Sequence, residues 1–346
     1  GKAAFEGFAN VPNTEIIVFY PHNGVSQVQE RQMTTQEGAN AHVYAIKGNF
    51  DDAQTGVKKI FNDKELAKEL EGKGYKLSSA NSINIGRLVP QVTYYVWAYV
   101  KLLEQKAIKS GEKINIVVPT GNFGNILAAY YAYKMGIPVG KFICASNQNK
   151  VLTDFINTGI YDIQRDFYIT NSPSMDILIS SNLERLLYHL SGDDGEAISA
   201  LMSSLDNEKK YQISKKIRIG LGNFYGGFTG QEETKETIGR MYRESGYLID
   251  THTAVGYKVY EDYKKETGDT TPTIIASTAS AYKFAESVSE ALGIPAEPDG
   301  FAYIHALNTK TNIPIPTGLR GLESKRVLHN EVLEKDGLLK LVRELL

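Results

Sequence analysis

Short apolar runs alternate with amphipathic segments along the chain and are joined by short polar stretches. Residues 16–20, 42–46, 114–118 and 273–276 are the clearest apolar runs, and each is typical of a buried strand. Helix-like segments lie between them. Because strands and helices that alternate in this way pack as a parallel sheet covered by helices, the pattern predicts an α/β fold with open, mostly parallel sheets flanked by helices.

The same periodicities predict further elements. Residues 141–145 and 168–170 are expected to form strands, and the amphipathic segments 85–105, 175–190 and 332–346 are expected to form helices.

A domain boundary is expected near residues 77–81, a polar stretch between two groups of strands and helices. It divides the chain into a partial smaller α/β domain, residues 1–80, and a large α/β domain, residues 81–346. A length of 346 residues by itself favours two domains or one large α/β unit. Since residues 1–8 already look helical and lack an initiator Met, the smaller domain is expected to lack an upstream part.

Composition excludes several classes of protein. The chain carries 38 Lys and Arg against 40 Asp and Glu, and its net charge of -2 without a dense basic run argues against nucleic-acid and membrane-surface binding. No apolar stretch is long enough to span a membrane, so a cytoplasmic globular protein is expected. Cys144 is the single cysteine and no two histidines have i, i+4 spacing; neither a disulfide nor a metal site is predicted.

One turn combines small residues with the start of a helix. The strand 114–118 leads into residues 119–125, Pro-Thr-Gly-Asn-Phe-Gly-Asn, and a helix is expected from Ile126. Small residues let backbone N–H groups approach an anion, and the helix N-terminus adds a favourable dipole. An ordinary tight turn between a strand and a helix fits the residues equally well.

The tripeptide Gly-Asn-Phe of this turn recurs at residues 222–224. The preceding segment, residues 215–221, is a poorer candidate for a buried strand, and Thr229 looks like the cap of the next helix. The second copy is therefore predicted to be a simple turn.

Two other polar clusters are candidate ligand sites. Residues 277–280 carry hydroxyls at the end of a predicted strand, where open α/β sheets bind ligands, although a cap for a helix near Tyr282 explains them as well. Residues 81–87 bring amides, a hydroxyl and the Arg87 guanidinium to the start of a helix, as an anion site or as a capped helix with a surface arginine. His252 lies in a polar cluster that most simply opens a helix.

Several motifs, in chain order, resemble those of the threonine synthase family in the longer type found in bacteria and fungi. The resemblance extends from Gly1 to the last helix. It rests on residues 81–88 with Gln91, Tyr94 and Tyr95, and on residues 119–125, 145–147, 172–177, 181–186, 250–256 and 277–284. One such match is weak, but this many in order is specific.

The resemblance implies fold type II of the pyridoxal-phosphate enzymes, with two α/β domains and pyridoxal 5′-phosphate (PLP) as cofactor. The residues implied to bind the cofactor are Gly121, Asn122, Phe123, Gly124 and Asn125 at its phosphate and Thr278 at its pyridine nitrogen. The residues implied to bind substrate are Asn81, Ser82 and Arg87. The implied reaction converts O-phospho-L-homoserine and water to L-threonine and phosphate, the last step of threonine biosynthesis. A monomer is expected.

The chain departs from the family at the Schiff-base lysine. In the family this lysine lies upstream of a turn whose final glycine matches Gly1, so no catalytic residue is assigned here and the chain alone is expected to be inactive. Lys2 does not match the catalytic position, and Thr251 and Ala281 stand where proline is common. Two alternatives stay open: a related dehydratase or β-replacement enzyme of the same fold, and a non-catalytic domain that binds a phosphate ligand.

Overall fold

The computed structural model describes residues 2–80 and 84–346 and confirms the predicted α/β class. The chain divides into two compact units, one formed by Gly1–Asn81 with Ala296–Leu346 and the other by Ser82–Pro295.

The strands are β1 (Ile16–Pro21), β2 (Ala41–Lys47), β3 (Ile114–Pro119), β4 (Val139–Ser146), β5 (Ile160–Asp162), β6 (Lys210–Gln212), β7 (Phe224–Phe228), β8 (Thr273–Ile275) and β9 (Val332–Glu334). The α-helices are α1 (Lys2–Phe8), α2 (Gln27–Thr34), α3 (Phe50–Asn62), α4 (Lys64–Gly72), α5 (Ile85–Leu88), α6 (Val92–Glu104), α7 (Gly124–Lys134), α8 (Val151–Thr158), α9 (Leu183–Ser191), α10 (Gly195–Glu208), α11 (Lys215–Gly220), α12 (Gln231–Ser245), α13 (Thr251–Thr267), α14 (Ala285–Ala291), α15 (Gly300–Thr311) and α16 (Leu338–Leu345).

In the first unit, β2 lies between β1 and β9, and all three strands are parallel. Successive side chains of a strand point to opposite faces of the sheet. Val43 and Ala45 accordingly pack with Phe5 of α1, whereas Ile46 packs with α3, α4 and α16 on the other face. Helices thus cover both faces of this sheet.

The C-terminal segment corrects the predicted domain limits. Residues 296–346 belong to the first unit and not to the large domain to which the sequence assigns them. The reason is that β9 pairs with β2, and Leu338 and Val342 of α16 are buried in the core of that sheet.

The sheet of the second unit has the order β7-β4-β3-β8, and its strands are all parallel; β5 and β6 form a separate antiparallel pair. The chain proceeds from β3 to β4 and β7 on one side and then crosses to β8 on the other side of β3. The direction of winding therefore reverses between β3 and β8. In open α/β sheets, ligands bind outside the carboxyl ends of the strands at such a switch point.

Both faces of this second sheet are buried. Phe142 and Cys144 of β4 pack in a core with α7, α8 and α9, whereas Ile143 and Ala145 pack against α13 on the opposite face. The alternation along one strand therefore explains the layered arrangement of helix, sheet and helix.

Three predicted helices are interrupted or shorter in the structure. The segment 85–105 consists of α5, a short 3-10 helix and α6, and Pro90, which lacks an N–H donor, lies in the 3-10 helix. The segment 175–190 is helical only from Leu183, because the residues before it contact the turn after β3. The segment 332–346 is helical only from α16 onward, since a turn separates that helix from β9.

One predicted strand and one weaker strand candidate take another form. Residues 168–170 lie in no strand; the N–H of Tyr168 donates to Asn149 and the N–H of Thr170 donates to Asp176, so side chains replace a neighbouring strand. Residues 215–221 lie mostly in helix α11, with Ser214 as its N-cap, and are not a strand.

Candidate functional site

The carboxyl ends of β3 and β8 meet at the switch point of the second sheet. Val117 of β3 pairs with Ile275 of β8, and the N–H of Ala276 donates to the carbonyl of Val117 at 2.9 Å. The predicted anion-binding turn follows β3, and Thr278 follows β8 by three residues. The structure therefore brings these two groups of predicted cofactor residues to the same edge of the sheet.

The turn after β3 offers a row of unused donors, and we call residues 121–126 the anion cradle. Among the residues that the structure describes, none accepts a hydrogen bond from the backbone N–H groups of the cradle. Helix α7 begins at Gly124, two residues earlier than predicted, and its N-cap residue Phe123 provides no side-chain cap. Because Phe123, Gly124 and Ile126 are buried, these donors favour an anion as partner.

Phe123 gives the anion cradle its curvature. Its φ of 63° is in the left-handed region, where a non-glycine residue is strained. Its ring is only 1% exposed and stacks on the ring of Phe224, with 6.3 Å between the centroids. This packing keeps the strained backbone in place, and successive N–H groups in such a turn form a concave anion site.

Gly121 lies against the loop of residues 172–176. A Cβ atom at Gly121 would stand 2.5 Å from the backbone carbonyl oxygen of Ser174, so only glycine fits without a shift of that loop. The close approach seals one side of the anion cradle with backbone atoms.

Asp176 holds this loop in place. Its Oδ1 accepts from Asn147 Nδ2 at 2.7 Å, from Asn149 Nδ2 at 2.9 Å and from Thr170 Oγ1 at 2.8 Å, and its Oδ2 accepts from the Thr170 N–H at 2.9 Å. Asn147 follows β4 directly and is buried, so the loop is bonded to the carboxyl edge of the sheet. Bonds that are this numerous and buried make the loop a fixed wall.

His252 also supports the loop, at Ser174. The N–H of Ser174 donates to Nε2 of His252 at 3.1 Å, so Nε2 is an acceptor and the ring proton lies on Nδ1, 3.2 Å from Oδ1 of Asp250. Burial opposes ionisation of Asp250, but hydrogen bonds from His252 and Thr253 outweigh it and lower the pKa of this carboxyl. Asp250 is also the N-cap of α13, which confirms the prediction that this cluster opens a helix.

Thr278 lies in an exposed stretch just after β8. The neighbouring Ser280 is the N-cap of the 3-10 helix Ala281–Phe284, where its Oγ accepts from the N–H of Tyr282 at 3.3 Å. The capping interpretation thus holds for Ser280, while Thr278 stays exposed in the stretch that follows β8.

The predicted substrate residues are only partly visible. Asn81 and Ser82 lie outside the described residues. Arg87 is half-buried on α5, whose N-cap Asn84 accepts from the N–H of Gly86 at 2.9 Å. Because α5 packs against α7, this segment is a neighbour of the helix that begins at the anion cradle.

Two residues that bond to the backbone of the anion cradle are not among the site residues predicted from the sequence. Ser180 Oγ donates to the carbonyl of Gly121 at 2.7 Å, and Asn182 donates to the carbonyl of Asn122 through its N–H at 3.1 Å and its Nδ2 at 2.9 Å. Asn182 belongs to one of the motifs that carry the family resemblance, which was the only available signal.

Other features of the described chain lie apart from this edge. Cys144 is fully buried in β4, and burial raises the pKa of its thiol to about 12. Among residues 2–80 and 84–346, no group of three or more His, Cys, Asp and Glu side chains is arranged to hold a metal ion. Within the same ranges, no helix has the length and apolar character that crossing a membrane requires.

Comparison with known proteins identifies the family. A family model described as threonine synthase, C-terminal, matches residues 253–328. Human threonine synthase-like 1 is 44% identical over 302 residues, 85% of this chain and 40% of that protein. Threonine synthase of Pseudomonas aeruginosa is 38% identical over 292 residues, 84% of this chain and 60% of that protein. A crystal structure of PLP-bound threonine synthase from Brucella melitensis is similar with a TM-score of 0.84 and 37% identity, covering 99% of this chain and 67% of that one. The chain belongs to the threonine synthase family.

Membership of the threonine synthase family confirms the predicted fold, an α/β arrangement with parallel sheets flanked by helices that is fold type II. The chain spans 40% of the human relative and 60% of the Pseudomonas relative. The family model includes Thr278 and ends before β9.

Proposed function

We propose that this chain is the cofactor-binding part of a threonine synthase, which uses PLP to convert O-phospho-L-homoserine and water to L-threonine and phosphate. The anion cradle is the observation that carries the proposal. It offers buried backbone N–H groups that no described residue accepts from, at the switch point of a parallel sheet. The relatives named threonine synthase support the same activity.

The chemistry of the anion cradle fits the phosphate of PLP. Helix N-terminal N–H groups favour an anion through hydrogen bonds and through the helix dipole, and they need no cationic side chain. The missing Cβ of Gly121 allows the loop at Ser174 to close one side. The residues proposed to hold the phosphate are Gly121, Asn122, Phe123, Gly124 and Asn125.

Thr278 is proposed to face the pyridine nitrogen of the cofactor. It follows β8, the strand beside β3, and its exposure leaves the hydroxyl accessible to a ligand at this edge of the sheet. When bound, PLP supplies an electron sink for the negative charge that develops on the substrate's carbons. A neutral hydroxyl, unlike a carboxylate, does not force the ring nitrogen to stay protonated, so Thr278 tunes the strength of that sink.

A second anion site is proposed for the substrate phosphate. Arg87 supplies a planar guanidinium, which can bind phosphate bidentately. Asn81 and Ser82 supply neutral side-chain donors. The packing of α5 on α7 supports this assignment, because it places the Arg87 helix next to the helix that starts at the anion cradle. Two separate phosphate sites suit a phosphorylated substrate better than serine or threonine, and so favour threonine synthase over a dehydratase or a β-replacement enzyme.

Three further predictions accompany this function. The Schiff-base lysine is proposed to lie upstream of Gly1, and the protein is proposed to act as a monomer in the cytoplasm. The balanced charge of -2 without a basic run supports a small-molecule substrate rather than a nucleic acid.

The first experiment measures PLP binding to this chain by equilibrium dialysis, followed by borohydride reduction and peptide mapping. PLP is expected to bind and to be displaced by inorganic phosphate, and no lysine of this chain is expected to be labelled. A folded chain that does not bind PLP would contradict the proposed cofactor. A labelled lysine within the chain would contradict the upstream position of the Schiff base.

The second experiment tests the reaction. A longer form that carries the upstream segment is supplied with O-phospho-L-homoserine, serine and threonine in parallel. Threonine and phosphate are expected from O-phospho-L-homoserine alone. Release of ammonia from serine or threonine as the main activity would instead identify a dehydratase.

A further inference from the structure

Ser180 and Asn182 hold the two carbonyls of the turn that opens the anion cradle. We infer that these residues are positioning residues: they orient the N–H groups of Asn122 and Phe123 toward the bound phosphate without touching it. The inference rests on the proposed PLP cofactor and extends it, because it names the residues that aim the cradle's donors.

The peptide geometry carries the inference. The carbonyl of Gly121 shares a peptide unit with the N–H of Asn122, and the carbonyl of Asn122 shares one with the N–H of Phe123. No described peptide bond is cis, so in each unit the carbonyl and the N–H point in opposite directions. Ser180 and Asn182 fix both carbonyls on one side of the turn. The two N–H groups must therefore point away from residues 180–182, into the open side of the cradle.

The orientation of the Asn182 amide is set by its neighbours. An Nη1 of Arg185 donates to Oδ1 of Asn182, and a guanidinium can only donate. Nδ2 of Asn182 must then face the other way, where it donates to the carbonyl of Asn122 at 2.9 Å. Since Asn182 is fully buried, neither bond competes with solvent, and the amide cannot turn over without leaving two polar groups unpaired.

Ser180 is fixed in the same way. It is buried, its N–H donates to the Tyr161 hydroxyl at 2.9 Å, and that hydroxyl donates to the carbonyl of Leu178, also at 2.9 Å. The segment behind the turn is thus held by bonds that do not involve the cradle. Because this support is preformed, the cradle binds an anion without the entropic cost of first ordering its backbone.

The test compares ligands with and without a phosphate group. Ser180→Ala removes the donor to the Gly121 carbonyl with almost no change of volume, and Asn182→Ala removes the side-chain donor to the Asn122 carbonyl. Ser289→Ala is the matched control, since Ser289 is a buried serine of α14 whose Oγ has no partner among the described residues. Dissociation constants for PLP, pyridoxal and inorganic phosphate are measured on each folded variant, with thermal unfolding as the check of folding.

Ser180→Ala is expected to raise the dissociation constants of PLP and inorganic phosphate about tenfold, the effect of losing part of a charge-assisted hydrogen bond. The dissociation constant of pyridoxal is expected to stay within about twofold of the wild-type value. Asn182→Ala is expected to act in the same direction, and Ser289→Ala to change none of the three. Equal weakening of PLP and pyridoxal, or unchanged phosphate binding in folded Ser180→Ala, would overturn the inference.

Amide spectra keep this test separate from the proposed function. Inorganic phosphate is expected to shift the 15N–H signals of Asn122 and Phe123 in the wild-type chain, and to shift them less in Ser180→Ala. If the wild type binds phosphate but not PLP, the proposed cofactor fails while the positioning role stands. If phosphate leaves these two signals unmoved in the wild type, the positioning role itself is wrong.

Discussion

The tripeptide Gly-Asn-Phe occurs at residues 121–123 and again at residues 222–224, and the two copies adopt different structures. The first follows β3 and ends in a left-handed Phe123 that begins α7. The second ends a 3-10 helix and turns into β7, where Phe224 has the extended values φ -99° and ψ 141°. The second copy is therefore not the simple turn that the sequence predicts, because Gly222 and Asn223 lie in a 3-10 helix and Phe224 begins β7.

The difference shows that the surroundings make the site and the tripeptide alone does not. The first copy is held from behind by Ser180 and Asn182 and covered by the Ser174 loop. Around the second copy, a Cβ at Gly222 would meet nothing within 4 Å. The two copies contact each other through their phenylalanines, because the rings of Phe123 and Phe224 stack on each other.

The largest expected effects come from the two phenylalanines. Replacing either buried ring by alanine is expected to lower the free energy of unfolding by about 3–5 kcal/mol. Substitution by glycine is then expected to affect the stability of the two copies in opposite directions relative to alanine. Phe123→Gly is expected to be more stable than Phe123→Ala by about 1 kcal/mol, because glycine tolerates positive φ. Phe224→Gly is expected to be less stable than Phe224→Ala by about 0.5–1 kcal/mol, because glycine weakens a strand.

Urea unfolding of the four variants measures these differences. The comparison between the copies depends on the sign reversal between glycine and alanine. If glycine were the worse substitute at both positions, the left-handed strain at Phe123 would not be a property of the folded chain.

The next effect separates the two glycines. Gly121→Ala is expected to cost about 1–3 kcal/mol of stability and to abolish phosphate binding, because the new Cβ overlaps the Ser174 carbonyl oxygen. Gly222→Ala, the matched control, is expected to stay within about 0.5 kcal/mol of the wild type, because open space surrounds that position. Urea unfolding and dialysis against labelled phosphate measure both. Equal losses in the two variants would remove the distinction between the copies.

A smaller effect tests the support that only the first copy has. Asp250→Asn removes the charge that pairs with the His252 ring below the Ser174 loop and is expected to cost about 1–2 kcal/mol at pH 7. Because the folded-state pKa of Asp250 is lowered, its contribution is present above the unfolded pKa of about 3.9 and is lost as the pH falls through the folded value. The difference in the free energy of unfolding between wild type and variant should therefore become smaller from pH 5 toward pH 3 (roughly one unit either side of that unfolded value).

Urea midpoints over this pH range, together with hydrogen exchange at the Ser174 N–H, measure the effect. Exchange at Ser174 should rise in the variant while exchange in β7 stays unchanged. A difference that grows as the pH falls would contradict the assigned direction of the pKa shift.

Sequence patterns predict this fold best where a strand is fully buried. β3 is buried along its whole length, and it and the turn after it follow from an apolar run and a cluster of small residues. β8 follows from an apolar run as well, although its residues are only partly buried. β9 could not be predicted, because a strand of Val332–Glu334 is too short to show a period and lies beside a strongly amphipathic helix. Its pairing with β2 is a contact across most of the chain, which local patterns do not encode.

The candidate site shows the same limit. The anion cradle and Thr278 follow from strand ends and from the family resemblance, since both depend on neighbouring residues in the sequence. The roles of Ser180, Asn182 and His252 depend on loops that return to the cradle from distant positions. The sequence pattern predicts one helix over residues 175–190, a range that includes Ser180 and Asn182. Because polar loop residues that bond to a backbone still fit an amphipathic pattern, the pattern gives no sign of their role.

The smallest expected effect concerns the two asparagines, and it sharpens the comparison most. Asn122→Ala and Asn223→Ala are each expected to change the free energy of unfolding by less than about 0.5 kcal/mol, since both side chains are exposed. Asn122 takes part in the cradle through its backbone N–H and carbonyl, both of which alanine retains, so hydrogen exchange at the Asn182 N–H should stay slow in Asn122→Ala. Urea unfolding and exchange measured on both variants decide the point. A loss above about 1 kcal/mol at Asn122 alone would mean that its side chain, and not the contacts from Ser180 and Asn182, holds the first copy in its curved form.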